Sequence, residues 1–165
     1  MKSLQIQNTR LFMSKLLASD SFDNFLMEST ELKTGINYTV DGHVNKDFYS
    51  EDEGDTLPKH DLISWGEIRG TIYNLIKGKR TPLAFKFILC TSSDYKDDLL
   101  KNAGEGGLEN IVSSLVLMIK FANGSITLTT GAALSGFTLD KSYEKIWDDH
   151  IEALLDGMGI SFEEQ

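Results

Sequence analysis

Two dipeptides constrain this chain more tightly than any other feature: Asp41-Gly42 and Asn123-Gly124. Each lies between stretches of strand-forming residues. A two-residue hairpin turn needs positive φ at its central positions, which Asn, Asp and Gly tolerate best. The pattern predicts one hairpin from residues 36–40 and 44–49, and a second from 111–121 and 125–130. Hairpins place neighbouring strands antiparallel. The expected fold class is therefore α+β, with helices packed on a mainly antiparallel sheet.

The remaining segments fit that frame. Leu4 and Ile6 alternate with polar residues, so residues 2–7 read as a strand, and Asn8 or Thr9 caps a helix over 9–18. Residues 22–32 read as a strand with an irregularity near Glu28 and Ser29. Ser64 and Glu67 form a capping box for a helix running to about Lys77, followed by Gly78 and a strand over 83–91. Ser93 caps a short helix over 94–103, ended by Gly104, Gly106 and Gly107. A short strand is expected over 134–139, and Asp140 caps a last helix to about Asp156. Residues 1–158 are read as a single α+β domain and 159–165 as a frayed tail. The order helix, strand, hairpin occurs twice, over 9–49 and 64–130. That gives a possible duplicated β-α-β-β-β unit, the architecture of DNA-clamp-like domains. The likeness is one of fold, and fold does not fix function.

Charge narrows the partners. The chain carries a net charge of −9 at pH 7 over 165 residues. That argues against a general affinity for nucleic acid or anionic membrane, though not against a local basic face. Such a face is offered by Lys77, Lys79 and Arg80, in the stretch IKGKRTPLAFKFIL. These cations have two readings: they serve a helix C-terminus, where positive charge is favoured by about 0.3–1 kcal/mol, or they bind an anion or partner. A second candidate ligand face is His43, Asn45, Asp47 and Tyr49, which alternation would put on one side of a strand.

Recognisable catalytic and cofactor chemistry is absent from the pattern. Gly104, Gly106 and Gly107 precede a strand-like run, so they do not make a dinucleotide loop. Cys90 is the lone cysteine, sits within a strand and has no histidine near it in sequence. A small core residue is the expectation. His43, His60 and His150 share no ligand spacing, and the acidic run Glu51, Asp52, Glu53, Asp55 lacks the alternation of a calcium loop. No cofactor and no metal are expected. No stretch is apolar enough for a signal peptide or a membrane span, which gives the expectation of a cytoplasmic protein with no membrane partner.

TVDGHVNKDFYS (39–50), LIKGKRTPLAFKF (75–87) and GFTLDKSYEKIWD (136–148) resemble a domain-of-unknown-function family of small, uncharacterised cytosolic proteins from clostridial Gram-positive bacteria. The resemblance runs from Lys2 to about Leu155. It implies one cytosolic α+β domain and brings no activity, cofactor or site residue.

Three functions follow. The first is a non-catalytic binding or interaction module with a protein partner. The second is a clamp-like nucleic-acid-associated protein, using Lys77, Lys79 and Arg80 with Lys46 and Lys86. The third is an enzyme with a site assembled from distant residues, among them His43, Asp47, Tyr49, Lys79 and Arg80. The chain leans away from catalysis.

Overall fold

The Asn123-Gly124 turn forms as its sequence requires, with φ of +52° and +79°. It joins β6 (Val112–Ala122) to β7 (Ser125–Leu134), closing with Ala122 opposite Ser125. This computed structural model describes residues 1–102 and 107–165. The other strands are β1 (Ser3–Ile6), β2 (Leu26–Lys33), β3 (Asn37–Asp41), β4 (Ile63–Ser64), β5 (Ala84–Cys90) and β8 (Phe162–Glu164). The helices are α1 (Thr9–Ala18), α2 (Trp65–Ile76), α3 (Ser93–Asn102), α4 (Leu108–Ile111) and α5 (Ser142–Gly157). The strands form one antiparallel sheet in the order β3-β2-β5-β6-β7-β1-β8, with β4 also paired to β2.

Asp41-Gly42 has a different cause from the one expected. The hairpin between β2 and β3 turns at Thr34–Ile36, where the Thr34 N–H donates to the Ile36 carbonyl at 2.9 Å. Gly42 does not take a positive φ. It runs against the β2 bulge at Met27–Ser29, so close that a Cβ would lie 1.8 Å from the Met27 carbonyl oxygen. Glycine is required there for approach and not for turning. Without a turn at 41–42 no strand returns. Residues 46–48 and 51–56 form 3-10 turns instead, and 44–49 carry no strand. The duplication therefore holds only in outline, because the first helix-strand-hairpin unit lacks that third strand.

Sheet alternation puts the core on one face. Phe85, Phe87 and Leu89 of β5, Leu115, Leu117, Ile119 and Phe121 of β6, and Ile126 and Leu128 of β7 are all buried. Phe12, Leu16 and Leu17 of α1, Trp65 and Ile72 of α2, and Trp147, Ile151 and Leu155 of α5 cover them. Each such side chain contributes about 1.5–3 kcal/mol on burial. The opposite face is more open and polar, with Glu31, Lys86, Lys120, Thr127 and Gln5 in one cross-strand row.

Local signals fared unevenly. Asn8 caps α1, its side chain accepting from the Leu11 N–H at 3.0 Å. Ser64 sits at the start of α2 but spends its hydroxyl on the Glu67 carboxylate at 3.1 Å, not on the backbone. Ser92, rather than Ser93, accepts a bond from the first turn of α3, from the Tyr95 N–H at 3.3 Å. The expected end of α3 at Ala103, Gly104 and Gly106 lies outside the described residues. Residues 134–139 form no second strand: β7 itself runs to Leu134, and Ser135 is pinned to the Ile111 carbonyl at 2.8 Å. Asp140 accepts from the Ser142 N–H at 2.9 Å at the start of α5. The tail expected to fray carries β8, with Leu4 opposite Glu164 and Ile6 opposite Phe162.

Candidate functional site

The turn between α2 and β5 borders a cleft. α1 contributes Met13, Ser14 and Leu17, α2 contributes Tyr73 and Ile76, and the turn contributes Lys77, Lys79 and Arg80. Phe85 and Phe121 form its floor. They are cross-strand partners with rings stacked at 5.1 Å, and Phe87 stacks on Phe85 at 4.6 Å. The floor is thus rigid and apolar. The cavity measures about 460 Å³, within the roughly 300–1,000 Å³ usual for ligand sites.

The cations on the rim are not explained by the helix end alone. α2 stops at Ile76, and Lys77 is its C-cap, donating its N–H to the Tyr73 carbonyl at 2.8 Å. The pull of a helix C-terminus on cations fades within its last turn. Lys79 and Arg80 follow beyond that cap, after Gly78 with its φ of +150°. All three cations are exposed, and among the described residues none has a carboxylate within ion-pair reach. Some other cations are paired, Lys2 with Glu152 at 2.6 Å, Arg69 with Asp23 at 2.7 Å and Lys46 with Asp61 at 3.0 Å, while Arg10, Lys15 and Lys120 have no such pair among the described residues. What sets Lys77, Lys79 and Arg80 apart is that three exposed cations stand within four residues beside an apolar cleft, in a chain of net charge −9.

Lys46 and Lys86 do not extend this surface. Lys46 sits on a 3-10 turn with Asp61, and Lys86 leans toward Glu31 at 3.7 Å. Lys86 also alternates with the buried Phe85 and Phe87, which turns it to the sheet face opposite the cleft floor.

The second candidate face is redistributed. His43, Asn45 and Tyr49 line a smaller hollow of about 190 Å³, together with Val40, Phe48, Ile63 and Ile68, whereas Asp47 is not part of its wall. The alternation expected of a strand fails because Lys46–Phe48 is a 3-10 turn. The His43 Nδ1 lies 2.6 Å from an Asp41 carboxylate oxygen. That hydrogen bond and the Asp41 charge raise the imidazole above its ordinary value. His43 and the Lys79–Arg80 pair line separate clefts, so the distant-residue grouping considered for catalysis does not converge.

Two further groups are held structurally. Burial pushes the Cys90 thiol up to about 11, away from the reactive thiolate. His150 is half-buried on the side of α5 that faces α3: its Nε2 lies 2.7 Å from the Tyr95 hydroxyl, and its ring stacks on Trp147 at 5.6 Å. Burial lowers its imidazole below the ordinary 6.5. The unfolded chain then takes up this proton at higher pH than the folded chain does. The His150 contribution is accordingly fully present above pH 6.5 and declines as pH falls toward the lowered folded value. An NMR titration of the histidine rings is expected to place His43 above and His150 below the ordinary value. The reverse order would contradict both environments.

The lining residues Met13, Leu17, Tyr73, Ile76, Phe85 and Phe121 were not among the sequence candidates. Periodicity places them on the apolar sides of their elements, and only sheet register and helix packing reveal that they border a cavity.

A protein-family profile for a family of unknown function, DUF5721, matches residues 15–163, and the chain belongs to that family. No curated protein and no solved structure matches it. Among the described residues no helix is long and apolar enough to cross a membrane.

Proposed function

We propose that this member of a family of unknown function is a non-catalytic binding module. Its cleft takes a short protein segment that combines apolar side chains with carboxylates. The observation that carries this reading is the placement of the exposed Lys77, Lys79 and Arg80 on the rim of a cleft lined by Met13, Leu17, Tyr73 and Ile76 over a floor of Phe85 and Phe121. Exposed charge pairs contribute only about 0–1 kcal/mol each. The exposed face of Tyr73, with the half-buried Met13 and Ile76, therefore supplies the apolar contact over the buried floor, and the cations supply orientation and choice of partner. Arg80 can grip a carboxylate with two parallel bonds, which the lysines cannot. We set this module in the bacterial cytosol, in keeping with the family resemblance.

A nucleic-acid reading has less support, since Lys46 and Lys86 are paired elsewhere and do not prolong the basic rim. One experiment separates the two. Fluorescence anisotropy is measured with labelled peptides carrying Phe and Leu between Asp and Glu residues, and with single- and double-stranded DNA, across a salt series. The peptides are expected to bind, and Lys79→Glu with Arg80→Glu is expected to weaken them about tenfold or more through like-charge repulsion. Peptide binding that ignores the double reversal would overturn the reading. Steeply salt-dependent DNA binding without peptide binding would replace it with the nucleic-acid one.

A further inference from the structure

Among the described residues the strand path of the sheet ends at β3 and β8, with the two-residue β4 off that path on β2. An outer strand leaves one side of its backbone without a ladder partner, and proteins guard such edges with charge, proline or cover. β8 is guarded, because it ends in Glu163 and Glu164. A second β8 laid antiparallel about its centre would set Glu163 against itself. β3, with the sequence NYTVD, has no proline, no lysine and a single charge at its end. It is also bordered by large exposed apolar side chains. Ile36, immediately before it, is 63% exposed and Phe48 is 84% exposed. Phe48 shares a hollow with Val40 of β3 itself.

We propose that β3 pairs with β3 of a second copy of this chain, antiparallel about a two-fold axis through Thr39. The two sheets then join into one. In that register Thr39 meets the partner's Thr39, Tyr38 meets the partner's Val40, and Asn37 meets the partner's Asp41. Threonine pairs and aromatic–β-branched pairs favour a sheet, and no like charges face each other. Ile36 falls opposite the partner's Gly42, where there is no side chain to oppose it. Tyr38 and Val40 pack toward the core side of the sheet, so the partner's Tyr38 arrives beside Val40 and covers Phe48. The same patch is used twice, which closes the assembly at two copies and prevents a growing fibre. A ladder of five residues with a few apolar flanks is smaller than the roughly 800 Å² per partner of a standard interface, so the dimer depends on concentration. Two chains of net charge −9 repel at long range, and added salt therefore favours the pair. The cleft residues lie outside β3, so this inference stands apart from the proposed function.

Sedimentation velocity tests it. The mass of the wild-type chain is expected to climb from 18.4 kDa toward twice that value as concentration rises. Thr39 is exposed, so Thr39→Lys and Thr39→Glu should keep the far-UV circular dichroism of the wild type. Each places like charges on the two-fold axis and is expected to stay monomeric at concentrations at least tenfold above the wild-type midpoint. An equimolar mixture of the two is expected to pair again, Lys against Glu. A wild type that stays at 18.4 kDa would overturn the proposal and leave the edge to another extended chain or to solvent. Variants that pair as the wild type does, or a mixture that stays monomeric, would overturn it as well.

Discussion

Trp65→Ala is expected to lower the stability of this protein by about 3–5 kcal/mol, the usual range for removing a buried tryptophan. Trp65 is fully buried at the first turn of α2. Its indole N–H donates to the Leu16 carbonyl near the end of α1 at 2.8 Å, and its ring packs 5.4 Å from that of Phe87. Its own backbone N–H donates to the Phe25 carbonyl at 2.8 Å. One side chain thus ties α1, α2 and β5 together. Alanine leaves a cavity and an unsatisfied carbonyl, two costs that add. A domain is stable by only about 5–15 kcal/mol, so the loss is a large share of the total. Thermal unfolding is expected to fall by about 10 °C for a chain of this size. The cleft should suffer too, because Leu17 on its wall follows the carbonyl that Trp65 holds. An unchanged urea midpoint would contradict this account of the core.

Gly42→Ala is the second large effect, expected at about 3 kcal/mol, the upper end for an overpacked site. The new methyl would stand 1.8 Å from the Met27 carbonyl oxygen and 2.8 Å from its carbon, both backbone atoms. The chain cannot simply move away. Gly42 donates its N–H to the Glu28 carbonyl at 2.9 Å and accepts from the Ile63 N–H at 2.8 Å. Relief on one side breaks a bond on the other. Gly70 makes the matched control, since a methyl there meets nothing within 4 Å. It lies inside α2, where Gly70→Ala is expected to stabilise by about 0.5–1 kcal/mol. Denaturant titrations of both variants check the pair. Equal effects, or a stabilising Gly42→Ala, would show that the contact with the β2 bulge is not what demands the glycine.

These two glycine–dipeptide sites show what the sequence could and could not reveal. Asn123-Gly124 and Asp41-Gly42 carry the same local chemistry. The first lies between runs that pair with each other, and local reasoning suffices. The second is decided by Met27, a residue on another strand, and no local signal reports that contact. α1 and β6 were legible for the first reason: their caps and apolar spacing are properties of the segment alone. β8 was not, because a three-residue polar strand has little propensity and is held by β1 at the far end of the chain, down to a bond between the Gln165 and Gln5 side chains at 2.6 Å. The basic turn was legible as charge. Its place over an apolar cleft was not, since the floor needs Phe85 and Phe121 brought side by side by register and α1 laid across them.

The central claim is that the Lys77–Arg80 turn and the aromatic floor act as one site. Amide NMR shift mapping with an acidic peptide bearing Phe and Leu tests it most directly. The predicted result is a contiguous set of shifts at Met13, Leu17, Ile76, Lys79, Arg80, Phe85 and Phe121, saturating with peptide and lost in Lys79→Glu with Arg80→Glu. Shifts confined to the turn with the floor unmoved, or centred on the hollow around His43 and Tyr49, would contradict it.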